Sequence, residues 1–184
     1  MPSIKCYKSI IYIFFLNYAE IIMNRKIAFI GHREVLDLKM RVKLLDEVKR
    51  QIEGGCKFFT MGTHGEFDEM ALSVCRELRN IYKDIKIEVV ITSFKKLEKQ
   101  LLYDDEFGKE YETPYSDVST VMYEIEEEYF KRQIVVSNRM MIDTCDKLIC
   151  YVNEKRTRSG ARNALNYAMK KGLEVINLYN KEYI

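Results

Sequence analysis

What most constrains this chain is an alternation. Short runs without a wet side, at residues 26–30, 57–61, 85–91, 147–152 and 174–178, take turns with longer stretches whose apolar residues recur at helical spacing. A strand that is apolar on both sides belongs to a sheet covered on both faces, and helices between such strands make that sheet parallel. The expected fold is α/β: a Rossmann-like three-layer sandwich, with a mostly parallel sheet of about five strands and helices on both faces. Right-handed crossovers then bring the carboxyl ends of the strands to one edge.

The helical stretches have their own punctuation. Leu38, Arg41, Leu44, Leu45, Val48 and Ile52 mark a first helix, with Asp37 as N-cap and Gly54-Gly55 as the stop. Phe67, Met70, Ala71, Val74, Cys75, Leu78 and Ile81 mark a second. A third is expected over residues 126–144. A fourth is expected over 160–171, with Ala164, Leu165, Ala168 and Met169 inward and Gly172 ending it. Residues 93–119 break the rhythm: they are polar, acidic and tyrosine-rich, and they contain Pro114. That stretch reads as a long connection with a short helix at 95–103, either a solvated link or a lid over the site edge.

A chain of 184 residues holds one domain with a full core. Residues 1–22 read as an N-terminal apolar extension and 23–184 as the Rossmann-like domain. The run at 9–16 follows Lys5 and Lys8, as in a signal peptide, but no small-x-small site follows and Asn17 and Glu20 interrupt it. The simpler expectation is a translation start placed too far upstream, with the chemistry beginning after Met23. Lys plus Arg number 30 against 28 for Asp plus Glu, a net charge of +2, which excludes a field able to hold a polyanion. The five cysteines are odd in number and lack C-x-x-C spacing, so neither a disulfide framework nor a zinc knuckle is expected. Reduced thiols fit a cytoplasmic location. No metal and no cofactor are expected.

Three loops leaving strand ends carry the unusual residues. Gly31-His32-Arg33 places a glycine where a ligand can approach the backbone, beside two groups able to hold an anion. Gly62-Thr63-His64-Gly65-Glu66-Phe67-Asp68 sets two glycines ahead of a helix N-terminus, where orphan N–H groups and the helix dipole favour a phosphate. Asp68 there either stabilises the dipole or accepts a hydrogen bond from a ligand. Arg156-Thr157-Arg158-Ser159-Gly160-Ala161-Arg162 opens the fourth helix with small and cationic residues, either a basic surface turn or a phosphate and sugar contact. The spacing is not that of the G-x-G-x-x-G dinucleotide fingerprint.

Taken in order, these motifs resemble the SLOG superfamily. They are Gly31-His32-Arg33, then Gly62-x-x-Gly65-x-x-Asp68-x-x-Ala71, then Arg139-Met140-Met141-Ile142-Asp143, then Ser159-Gly160-Ala161 with Tyr167-Ala168. The superfamily sets DprA-like proteins beside the LOG phosphoribohydrolases, and this chain is most similar to its YpsA-like branch over about residues 25–179. The resemblance implies a Rossmann-like fold and a nucleotide or nucleotide-derived ligand. It also implies a site lined by Gly31, Arg33, Gly62, Gly65, Asp68, Arg139, Ser159 and Gly160, with His32 added from its own loop. The LOG enzymes carry Gly-Gly-x-Gly-Thr-x-x-Glu, whose glutamate serves N-glycosidic cleavage. Here alanine stands in the threonine place, and Ala164 stands in the glutamate place.

A sensor-like, ligand-binding protein is therefore expected in preference to an enzyme. The alternative is a nucleotide N-glycosidic hydrolase or transferase in which Asp68, Asp143 or Glu66 replaces the missing glutamate. Arg33 and Arg139 are expected to reach one ligand. The expected partner is a nucleotide-derived small molecule; a homodimer is left open, and neither a membrane nor nucleic acid is expected.

Overall fold

The computed structural model of the protein describes residues 25–92, 115–122 and 129–180. The chain runs β1 (Lys26–Gly31), α1 (Met40–Glu53), β2 (Phe58–Met61), α2 (Glu66–Arg79), β3 (Lys86–Val90) and β4 (Ser119–Val121). It continues through α3 (Phe130–Asp143), β5 (Lys147–Tyr151), α4 (Gly160–Lys170), β6 (Glu174–Asn177) and a 3₁₀ turn, Leu178–Asn180. The six strands form one sheet in the order β4-β3-β2-β1-β5-β6, and every neighbouring pair is parallel.

The expected architecture is present, with one strand more than the apolar runs announce. β4 has three residues, its first two exposed, and it pairs only with β3, so it is too short and too wet to show a period. The helix expected over 95–103, most of the lid segment and residues 1–22 lie outside the described residues. α3 is described from residue 130, and the residues before 129 that were expected to begin it lie outside as well.

Alternation along each strand divides the core. Ile27 and Phe29 of β1, Phe59 and Met61 of β2, Ile87 and Val89 of β3, and Ile149 of β5 pack with α1 and α2. Ala28, Ile30, Leu148, Cys150 and Val152 pack on the other face with Met141 and Ile142 of α3 and Ala161, Ala164, Leu165 and Ala168 of α4. α4 turns three alanines, Ala161, Ala164 and Ala168, toward this face of the sheet. Burying each large side chain contributes about 2 kcal/mol before entropy is counted.

The helix stops fall at glycines, as expected. Gly55 takes φ +93° after α1 and Gly172 takes φ +77° after α4. The Cys56 N–H returns to the Gln51 carbonyl at 2.9 Å, and the Leu173 N–H to that of Ala168 at 3.1 Å. Asp37 does not cap α1 directly; it accepts from the Lys39 N–H at 2.9 Å, one residue before the helix. Three stripe residues overshoot their helices or their faces. Leu38 precedes α1 and is 99% exposed, Ile81 follows α2, and Met169 faces solvent; Met40, fully buried, takes the place expected of Leu38.

Among the described residues no helix is long and apolar enough to cross a membrane. Burial pushes the thiols of Cys56, Cys75, Cys145 and Cys150 up, which leaves them neutral and inert.

Candidate ligand-binding site

From β1 the chain steps outward through β2, β3 and β4, then returns to lay β5 on the other side of β1. A crevice opens outside the carboxyl ends of the strands where such a sheet changes direction. Here it holds a cavity of about 470 Å³, large enough for a nucleotide-sized molecule. Ile30, Gly31, His32, Arg33 and Glu34 line it from the end of β1, and His64 and Asp68 from the start of α2. Lys131, Ile134 and Asn138 line it from α3, and Arg156, Arg158, Ser159, Gly160 and Ala161 from the loop that opens α4.

The first two loops are riveted to each other. A Cβ on Gly31 would lie 2.4 Å from the Phe67 ring, so this glycine admits the first turn of α2 onto β1 as well as bordering the cavity. A Cβ on Gly65 would lie 2.7 Å from the Arg33 Cα. The Glu66 N–H donates to the Arg33 carbonyl at 2.9 Å, and the Glu66 carboxylate accepts from the Val35 N–H at 2.7 Å. Gly62 faces the Asp68 carboxyl, 2.9 Å from where its Cβ would stand. Gly62 and Gly65 are thus glycines for close packing, and neither is among the cavity-lining residues. Two N–H groups of the expected phosphate cradle, those of His64 and Glu66, are thus already engaged by the protein itself.

His32 organises the third loop. Its Nε2 accepts from the Asn153 N–H at 2.8 Å, so in the neutral ring the proton sits on Nδ1. Nδ1 faces the Ser159 Oγ at 3.3 Å and donates to it. The same oxygen caps α4 by accepting from the Arg162 N–H at 3.3 Å. With both lone pairs engaged, the Ser159 hydroxyl keeps its own proton to donate into the cavity. Burial, and then the charge of Arg156, hold the His32 pKa below its ordinary value and keep the ring neutral. An imidazole that donates to the serine cannot deprotonate it, so this pair is not an activated nucleophile.

Asp68 is the buried acid of the site. It is 9% exposed and its Oδ2 accepts from the His64 N–H at 3.0 Å. Burial dominates that bond, and Glu69 adds to it, so the carboxyl is pushed up to about 7. His64 is held through its Nε2, 2.9 Å from the Thr92 hydroxyl.

The structure brings Gly31, His32, Arg33, Asp68, Ser159 and Gly160 to one cavity and, besides Gly62 and Gly65, leaves Arg139 and Asp143 outside its lining. Arg139 stacks its guanidinium over the Tyr167 ring at 5.5 Å. Asp143 ends α3 on the opposite, amino-terminal edge, where it accepts from the Tyr167 hydroxyl at 2.8 Å and pairs with Lys171. The Lys171 ammonium bonded to it holds its pKa below the usual carboxylate range. The shared reach of Arg33 and Arg139 is corrected accordingly: residues 138 and 139 stand about 100° apart on a helix, and it is Asn138 that faces the cavity. Lys131, Ile134 and Asn138 were not expected there. Their i, i+3, i+7 spacing was the available signal, a face of α3 with polar residues at both ends.

Ala161 borders the cavity, while Ala164 is 4% exposed and packed in the core. Position 164 thus serves the packing of α4 on the sheet. Among the described residues no cluster of three or more His, Cys, Asp or Glu side chains is placed to hold a metal.

Among known families, the YpsA model, described as the YspA SLOG family, matches residues 33–182. That span takes in the three carboxyl-edge loops except Gly31 and His32, and all of α3 and α4. No curated protein matches the chain.

Proposed function

Because the chain belongs to the YspA SLOG family, we propose that it binds a nucleotide or nucleotide-derived small molecule in the carboxyl-edge cavity and acts as a sensor. The observation that carries this reading is the fixed donor set at the start of α4. Ser159, Gly160 and Ala161 line a cavity of nucleotide size at the helix N-terminus, and Gly160 has nothing within 4 Å of where a Cβ would stand. A phosphate or sugar oxygen suits those donors. The first turn of α4 offers Ala161, Arg162, Asn163 and Ala164, with no carboxylate to stabilise an oxocarbenium-like sugar, so binding outruns turnover. In this reading the protein works in the cytoplasm on a small molecule, with no role for nucleic acid or a membrane and with a homodimer left open.

Calorimetry of the full chain with adenosine, AMP and ADP tests the proposal. Micromolar binding of at least one nucleotide is expected, and Ser159→Ala should weaken it about tenfold, the worth of one hydrogen bond to a charged group. Absence of binding to all three would overturn it.

One observation favours the enzymatic alternative. Asp68 lines the cavity and keeps a proton near neutral pH, as a general acid must. Multiple turnovers of free-base release from a nucleoside monophosphate, lost in Asp68→Asn, would establish that reading in place of the sensor.

A further inference from the structure

Four cations converge on the cavity from three separate parts of the chain: Arg33 after β1, Lys131 in the first turn of α3, and Arg156 and Arg158 before α4. None of the four forms an ion pair among the described residues, whereas several cations elsewhere in the fold do. Arg76 and Arg79 share Asp117, Arg41 meets Glu77, Lys147 meets Glu174 and Lys171 meets Asp143. The acids bordering the cavity are Glu34 and Asp68, and burial holds Asp68 toward its neutral form. Among the described residues the cavity wall thus carries four cations outside any ion pair against these two acids.

A single phosphate seated on the start of α4 is within the compass of the Ser159 hydroxyl, the helix N–H groups and the neighbouring arginines. It would leave the cations of the other two elements facing one another without an anion between them. We infer that the cavity is built for two or more adjacent phosphates, as in a nucleoside diphosphate or a diphosphate ester, gripped between the β1 loop, the start of α3 and the loop ahead of α4. Arginine forks on a diphosphate give paired charge-assisted bonds, and Lys131 supplies a point charge. This inference rests on the reading of the cavity as the nucleotide site and specifies its ligand.

The test is calorimetry of the full chain at low salt with AMP, ADP, inorganic phosphate and inorganic pyrophosphate. ADP is expected to bind at least about tenfold tighter than AMP, with a steeper dependence on salt. Pyrophosphate should displace ADP at concentrations where phosphate does not. In an Arg33→Gln/Lys131→Gln double variant, ADP should lose at least about tenfold more affinity than AMP does. Both side chains are exposed, so the thermal transition should stay in place and certify the fold. AMP binding as tightly as ADP, or a preference for ADP that survives in the double variant, overturns the inference while leaving nucleotide binding standing. Failure of all four probes to bind overturns both.

Discussion

The two edges of the sheet each carry a hollow, about 470 Å³ at the carboxyl end and about 370 Å³ at the amino end, and they differ in how their charges are spent. At the amino edge the polar groups use each other. Lys147 bonds both Gln51 and Glu174 at 2.8 Å, and Asp146 accepts from the Lys26 N–H at 2.8 Å. Nearby, Asp143 gathers Tyr167 and Lys171, and Arg139 and Lys171 each stand over the Tyr167 ring. At the carboxyl edge the backbone is just as firmly tied, yet the cations have no partner among the described residues and a carboxyl is buried at a cost. In the reading proposed above, unmatched charge over a fixed backbone, and not volume, marks the carboxyl-edge hollow as the binding site.

The sharpest way to break that contrast is to attack the rivets. Gly31→Val drives its side chain into the Phe67 ring and should cost about 3 kcal/mol or more in a urea melt. Gly160→Ala, on the same edge but with open space around it, should leave the melt unchanged. Equal losses from the two would show that this edge has no division between scaffold and open surface.

A smaller effect sharpens the account of Asp68. Its folded-state pKa is raised to about 7 from an ordinary 3.8, so between those values the folded chain holds a proton that the unfolded chain has released. Stability from this group therefore falls as pH rises through that window, and the full penalty stands above it. Asp68→Asn keeps an acceptor for the His64 N–H and should stabilise the protein by about 2 kcal/mol at pH 8, with the gain vanishing near pH 4. A gain independent of pH would show that the carboxyl is not strained.

The smallest effect belongs to the other edge. Asp143→Ala unties an exposed ion pair and a hydrogen bond between α3 and α4, worth about 0.5 kcal/mol, and should leave nucleotide affinity untouched. A tenfold loss of affinity with an unmoved melt would put Asp143 back at the site and dissolve the comparison.

How far the sequence could be read follows from the same division. The buried strands and the helix periods were legible because burial on both faces writes itself into every residue of a strand such as 26–30. β4 was not, since three residues at a wet edge carry no period. The loops were legible as loops, but their glycines misled: Gly62 and Gly65 read as ligand space and turned out to be protein contacts, because a sequence does not show which atom fills a missing Cβ. Arg139 and Asp143 misled for a different reason, since a local motif does not reveal which side of α3 faces the sheet's carboxyl edge. The near-neutral net charge likewise concealed a local excess, for pairing elsewhere in the fold removes charges from the count that matters at the cavity.

The rivets between the first two loops also bear on how such a protein changes over generations. Gly31, Gly65 and Glu66 lock the backbone that carries Arg33, while the Arg33, Arg156 and Arg158 side chains stand exposed and bear no part of the core. On the proposed reading, recognition can then drift through one or two codons without taxing the fold. Copies of this gene that diverge in what they bind should differ first in those arginines and last in the glycines beneath them.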